Sequence, residues 1–303
     1  MSILLPLPSS SMLGDPFADY LNVTVPLDSS FHLQCEVEPM LDMLGVSELG
    51  DGVFHLPEKR GTFKVSKRGK VGIFSASGGF LRVLREHGMF DQYLAALATA
   101  PHRVSMLHVT QDYVVASPPA VVQEVKRLGH AGLLSLTRKR IEPDRVKAIL
   151  NLNLAGEETG TVYLGHRANA DVWCKLYDKD HEQVSRGFPS PGSVVRVEIA
   201  VQSDVGATLR DVASPSALFF HFASRSLAVV PAGTPEWSAH GDGYVPSARV
   251  YSASAVQRLQ SIMDSSLDVA RLVKLARHEF GEESAFDALF PILRARCRLK
   301  SAV

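Results

Sequence analysis

Apolar and polar residues alternate with a period of two in several separate stretches of this chain. Between Thr161 and Val201 three short alternating runs are divided by turn-formers. In DVWCKLYDKD, Val172, Cys174 and Leu176 share one parity; Trp173, Lys175, Tyr177 and Lys179 share the other. Parity is face in a strand, so one side is apolar and the other sets a tyrosine between two lysines. VVRVEIAV repeats the pattern, with Val195, Val197 and Ile199 on one side and Arg196 and Glu198 on the other. Upstream, DYLNVTVPL predicts a strand. GTFKVSKRGKVGIFSAS predicts a β-hairpin: Phe63 and Val65 alternate with Thr62 and Lys64, Arg68-Gly69 turns the chain, and Val71, Ile73 and Ser75 return. RVSMLHVTQDYVVAS predicts a further strand, with Met106, His108, Thr110 and Asp112 on one face and Leu107, Val109 and Gln111 on the other.

Other stretches carry the helical period. Residues 33–46 predict a short helix with Gly45 near its end. SGGFLRVLREHGMFDQYLAALAT predicts a helix pair broken near Gly88, from the spacing of Leu81, Leu84, Phe90, Leu94 and Leu97. SPPAVVQEVKRLGHAG predicts a helix with Ser117 as N-cap, Pro118 at its first position and Gly129 or Gly132 at its end. SDVGATLRDVASPSALFFHFASRSL is helical in part, and from Ser252 the pattern is helical again. Together these predict an α+β fold: a mainly antiparallel central sheet with flanking helices, plus a helical C-terminal appendage. The expected organisation is an N-terminal segment (1–58) packed on a core (59–230), then a Pro-, Gly- and Ser-rich linker (231–248) and the helical region (249–303).

Composition fits a folded globular protein, with 46% hydrophobic and 21% charged residues. No apolar run reaches the ~18 residues needed to span a membrane. The opening MSILLPLPSSSMLGDPF lacks the basic region of a secretion signal, so the expected location is cytoplasmic, with no membrane partner. Cys35, Cys174 and Cys297 are too far apart in sequence to suggest a disulfide framework or a cysteine-rich zinc site. Net charge is zero but unevenly spread. Residues 1–58 hold nine acids and no Lys or Arg, so all 32 basic residues face the other 23 acids, an excess of nine. Lys59 to Lys70 contains six basic residues and no acid. Such a ribbon suits phosphate contacts, and equally the lysine protection of an exposed edge.

Two sets of residues carry candidate chemistry. A tyrosine can attack a phosphodiester to form a covalent phosphotyrosine, provided cations stabilise the developing charge; Tyr177 between Lys175 and Lys179 has that pattern. The plainer reading is a strand tyrosine at a sheet edge with snorkelling lysines. His108, Asp112 and Glu198 lie on polar strand faces and form a plausible set for Mg²⁺ or Mn²⁺. The plainer reading makes His108 a satisfied histidine and pairs Glu198 with Arg196 or a lysine. Phosphate-binding glycine loops, HExxH and GxSxG are absent.

YLGHR (163–167), KLYDKDHEQ (175–183) and VRVEI (195–199), in this order, resemble the elements of the replication-initiation proteins of rolling-circle plasmids and filamentous phages. FSASGGFLRVL (74–84) is similar to that family's small-residue turn before a helix. The resemblance spans roughly 62–222. It implies a topoisomerase-like nickase and ligase acting on single-stranded origin DNA of a plasmid or phage replicative form, in a bacterial host, with Mg²⁺ or Mn²⁺. Tyr177 would be the nucleophile that keeps the 5′ phosphate, and Lys179 would steady the phosphate. His108, Asp112 and Glu198 would hold the metal. Arg196 would support a carboxylate or contact DNA, with Arg167, Lys175, Lys64, Lys67 and Arg68 as further DNA contacts. Host helicase, host DNA polymerase and a homodimer are the implied partners. The sequence departs from the family at Met106, where an arginine is usual, and at His108, where an aspartate is usual. Those departures favour an alternative, a non-catalytic DNA-binding regulator on the same fold.

Overall fold

The computed structural model describes residues 11–223, apart from 49, 51, 58–60, 138–139 and 166–169. The chain divides into two units, residues 1–248 and 249–303, and every described residue belongs to the first. The expected linker and C-terminal helical appendage lie outside the described residues.

In chain order the elements are β1 (Ser11–Met12), β2 (Phe17–Pro26), α1 (Leu27–Met43), β3 (Ser47–Glu48), β4 (Val53–His55), β5 (Thr62–Arg68), β6 (Val71–Ser77), α2 (Gly78–Glu86), α3 (Phe90–Ala98), β7 (Arg103–Val114), α4 (Pro118–His130), β8 (Val146–Leu152), β9 (Glu158–Leu164), β10 (Val172–Asp178), α5 (Lys179–Ser185), β11 (Val194–Gln202), α6 (Leu209–Ala213) and α7 (Ser216–Ala223). Among the described residues eleven strands form one sheet, ordered β3-β4-β5-β6-β2-β7-β11-β10-β9-β8, with β1 also paired to β7. Every pairing is antiparallel. This is the α+β architecture that the alternation predicts.

One sheet face is apolar and buried. It carries Leu21 and Val23 of β2, Leu107 and Val109 of β7, Val197 and Ile199 of β11, Cys174 and Leu176 of β10, and Val162 and Leu164 of β9. The helices bury their apolar sides on it. Phe80 of α2 stacks on Phe63 of β5 at 5.3 Å between centroids, and Tyr93 of α3 meets both rings edge-on. Gly129 of α4 lets that helix approach β8 and β9, since a Cβ there would meet Val146 and Leu164 at 3.0 and 3.3 Å. Ser117 caps α4 by accepting from Ala120 N, and Pro118 follows it, as expected.

Four local expectations are corrected. Residues 1–58 are not merely packed on the core: β2 is an inner strand between β6 and β7. Its apolar residues Ala18, Leu21, Val23 and Val25 are buried, and its one acid, Asp19, lies on the other side against Arg196. Helix α1 starts at Leu27, directly after β2, and tolerates Pro39 inside it. The β5–β6 hairpin turns at Gly69-Lys70, one residue later than expected, because Gly69 supplies the positive φ of +59°. Lys179 does not continue the strand: β10 ends at Asp178 and Lys179 opens α5.

Candidate active site

The register of three adjacent strands assembles the polar face. Tyr177 of β10 stands opposite Arg196 of β11, which stands opposite Asp112 of β7. One step along, Lys175 faces Glu198, which faces Thr110. A further step brings Trp173, Ala200 and His108 into line. Directly opposed residues share a face, so these side chains project away from the apolar core.

Two charged groups are fixed there. Arg196 donates from Nε to Asp112 Oδ1 at 2.6 Å and from Nη2 to Oδ2 at 2.8 Å, a bidentate pair. Its Nη1 lies 3.6 Å from Asp19 Oδ2, and the Phe17 ring covers the guanidinium at 5.3 Å. Burial opposes the charge of Arg196, but the Asp112 hydrogen bonds, together with the nearby Tyr177, Asp112 and Asp19, outweigh it and hold its pKa above the usual arginine range. Glu198 is 4% exposed. His108 Nδ1 donates to its Oε1 at 2.9 Å and Lys175 Nζ to its Oε2 at 2.8 Å. Burial alone would raise the Glu198 pKa; His108 and Lys175 more than offset this and bring it down to about 2.

Tyr177 is buried between two ammonium groups. Lys175 Nζ lies 4.6 Å from its ring centroid and Lys179 Nζ 5.7 Å. Burial pushes the hydroxyl pKa far up, Arg196 pulls it partly down, and Glu198, Glu182 and Asp19 push it up again. The phenol is therefore neutral in the free protein. The local sequence explains the position of Lys179. The Asp178 carboxylate caps α5, accepting from His181 N at 2.9 Å, and also accepts from Thr159 Oγ1 at 2.8 Å. That cap ends the strand one residue after Tyr177 and swings Lys179 beside the ring. Glu182, on the same helix, pairs with both Lys179 and Arg186. Burial lowers the Lys179 pKa, and Arg196 adds to the effect.

The sequence reading missed Asp19 and the capping role of Asp178. Asp19 sits at a β-bulge, where the β2–β7 register shifts between Ala18 and Tyr20. The extra residue lets Ala18 and Leu21 both reach the core although their parities differ. Gly78 leaves room for the carboxylate: a Cβ there would lie 1.9 Å from Asp19 Oδ1. Burial raises the Asp19 pKa, and Arg196 counters it in part. The signal available in the sequence was the parity break within FADYLNV.

The expected DNA contacts divide. Lys175 and Arg196 belong to the cluster just described. Arg167 lies outside the described residues. Lys64, Lys67 and Arg68 are exposed on the β5–β6 hairpin and make no ion pair among the described residues. Lys64 pairs with Ser75, which pairs with Asn22, which pairs with Met106, so Lys64 and Arg68 share the face of Tyr177 and Lys67 points to the other side. β5 and β10 are five strands apart, about 24 Å at the usual strand spacing.

The expected ligand set for Mg²⁺ or Mn²⁺ is not assembled. His108 and Glu198 meet each other, while Asp112 faces Arg196. His108 and Asp112 are four residues apart on one strand, about 13 Å, and different partners claim them. Both oxygens of each carboxylate are engaged by protein donors. Among the described residues no group of three His, Cys, Asp or Glu side chains could hold a metal. His108 Nε2 is buried without a hydrogen-bond partner, but its ring neighbours are Tyr20 at 5.0 Å and Trp173 at 5.3 Å, not the several oxygens a hard cation takes.

No protein-family model and no curated protein matches the chain. Among solved structures, a rolling circle replication initiator protein from Geobacillus stearothermophilus is similar at 16% identity with a TM-score of 0.48, covering 74% of this chain and 90% of that one. The di-domain ARO/CYC BexL from the BE-7585A biosynthetic pathway is similar at 12% identity with a TM-score of 0.23, over 78% of this chain and 100% of that one. At these scores the case for function rests on the chain's own residues. No described helix is long and apolar enough to cross a membrane.

Proposed function

We propose that this chain is a rolling-circle replication initiator that nicks single-stranded origin DNA through Tyr177 and later rejoins it. The observation that carries the reading is the placement of Tyr177: at the end of β10, between Lys175 and Lys179, and in register with Arg196. The order of the YLGHR, KLYDKDHEQ and VRVEI elements supports it independently. In the first step the Tyr177 hydroxyl attacks phosphorus. The bond from tyrosine oxygen to phosphorus forms as the bond to O3′ breaks, and the proton lost by the phenol is matched by the one O3′ gains. The 5′ phosphate stays on the protein. The 3′ hydroxyl then primes a host polymerase while a host helicase opens the duplex, and reversal of the step closes the strand. The protein's part is electrostatic: Lys175 and Lys179 lie against the Tyr177 ring and Arg196 is opposed to it in register, so three fixed cations surround the residue to which a phosphodiester brings negative charge.

The experiment is incubation of the full chain with single-stranded DNA from its own replicon, followed by detection of a protein–DNA adduct that resists denaturation and maps to Tyr177. An adduct on Tyr163 instead, or none under any condition, overturns the reading. One observation favours the second reading, a DNA-binding regulator without catalysis: the Tyr177 hydroxyl is buried and its pKa is raised. A regulator binds supercoiled origin DNA but never relaxes it.

A further inference from the structure

We propose that Lys175 occupies the place at Glu198 where the family scheme puts a divalent metal, so that the site handles its phosphodiester with fixed protein cations alone. The inference rests on the nicking reading but is tested apart from it. Lys175 and Glu198 are directly opposed across β10 and β11. Lys175 Nζ is 2.8 Å from Glu198 Oε2 and 4.6 Å from the Tyr177 ring centroid. The same ammonium thus touches the residue expected to hold the metal and the residue expected to attack.

Neither carboxylate of the expected ligand set offers a divalent ion a free oxygen. Glu198 Oε1 takes His108 Nδ1 and Oε2 takes Lys175, and Asp112 is closed off by two hydrogen bonds from Arg196. Charge is balanced as well. The carboxylates of Asp19, Asp112, Glu182 and Glu198 stand against Lys175, Lys179, Arg186 and Arg196, through the ion pairs that join them. An added ion of charge +2 would either expel Lys175 or sit against it, and two like charges at contact repel strongly in a site this buried. Glu198 and His108 then act as positioning residues. They hold the Lys175 ammonium over the ring, with its remaining N–H donors available to a phosphate oxygen.

The test has a binding arm and a chemical arm, both on the full chain. Manganese binding is measured by electron paramagnetic resonance and by thermal shift, for wild type, Lys175→Met, Lys175→Arg and Glu198→Gln. Wild type should show no saturable Mn²⁺ binding and no Mn²⁺-dependent rise in Tm. Lys175→Met keeps most of the unbranched stem but removes the ammonium, frees Glu198 Oε2 beside His108, and should gain Mn²⁺ binding that Glu198→Gln removes from it. In the chemical arm, wild-type nicking should be equal with EDTA and with Mn²⁺ to within about twofold, and Lys175→Met should lose at least about 10²-fold of the metal-free rate. Lys175→Arg should retain part of it. Saturable Mn²⁺ binding to wild type that Glu198→Gln abolishes overturns the assignment, as does full metal-free nicking by Lys175→Met. Nicking by wild type with Mn²⁺ but not with EDTA also overturns it, whereas absence of nicking in both conditions sinks the proposed function instead and leaves the binding arm to decide who occupies Glu198.

Discussion

The polar face of the sheet has two ends that use positive charge differently. Around β7, β11 and β10, Arg196, Lys175 and Lys179 are largely withdrawn from water and each is tied to a carboxylate. On the β5–β6 hairpin, Lys64 and Arg68 share that face but stand exposed and unpaired among the described residues. Buried, paired cations have one geometry and cannot be removed without leaving a charge behind. Exposed ones have many geometries and act mainly through long-range attraction that salt screens. The first set suits the proposed reaction; the second suits the proposed holding of a flexible anionic strand at a distance from it.

The largest effect that separates the two ends concerns chemistry. Tyr177→Phe keeps the ring between the lysines and removes only the hydroxyl proposed to attack, so adduct formation and nicking should fall at least about 10³-fold while DNA affinity and Tm hardly move. A mobility-shift titration beside the nicking assay checks both halves. Next comes stability. Arg196→Met strands Asp112 and Asp19 and should cost about 3–5 kcal/mol, a fall in Tm of roughly 10 °C, whereas Lys64→Ala should leave the melting curve unchanged. If Arg196→Met melts like wild type, the buried end is no more rigid than the hairpin and the contrast fails.

The pH response follows from Glu198. Its folded pKa of about 2 lies below the unfolded carboxylate value near 4.5. Its contribution is therefore complete above about pH 4.5 and is lost as pH falls towards about 2, by about 3 kcal/mol in all. Glu198→Gln should flatten that part of the denaturant-derived stability profile between those pH values. The smallest effect belongs to the hairpin. Lys64→Ala with Arg68→Ala should reduce the slope of log K against log salt by about 1.4 for a single strand, without changing the rate on saturating DNA. Lys67→Ala should do less, because Lys67 lies on the opposite face; an equal effect would mean that the strand does not track the face of Tyr177.

Much of this was legible in the chain. Period-two alternation located β5, β6, β7, β10 and β11 and assigned Tyr177, Lys175, Arg196, Glu198, His108 and Asp112 to polar faces, because a strand converts parity directly into side. The cap signals at Ser117 and Pro118 marked the start of α4. The plainer expectation that Glu198 pairs with a lysine also holds. Parity could not tell which strands are neighbours. β2, from the acidic N-terminal segment, enters the middle of the sheet and delivers Asp19 to Arg196 through a bulge whose register is a property of two strands, not one. Partner choice within the cluster was equally out of reach. Asp112 is Arg196's because β7 and β11 pair in one register, and a slip of two residues would have set it opposite Glu198 instead. The sequence by itself thus determined which residues can meet on the polar face, through the two-residue repeat of extended chain. Only the tertiary structure decided which of them do meet, and that a lysine sits on the carboxylate expected to bind a metal, because strand order and register are settled by the burial of the whole apolar face at once.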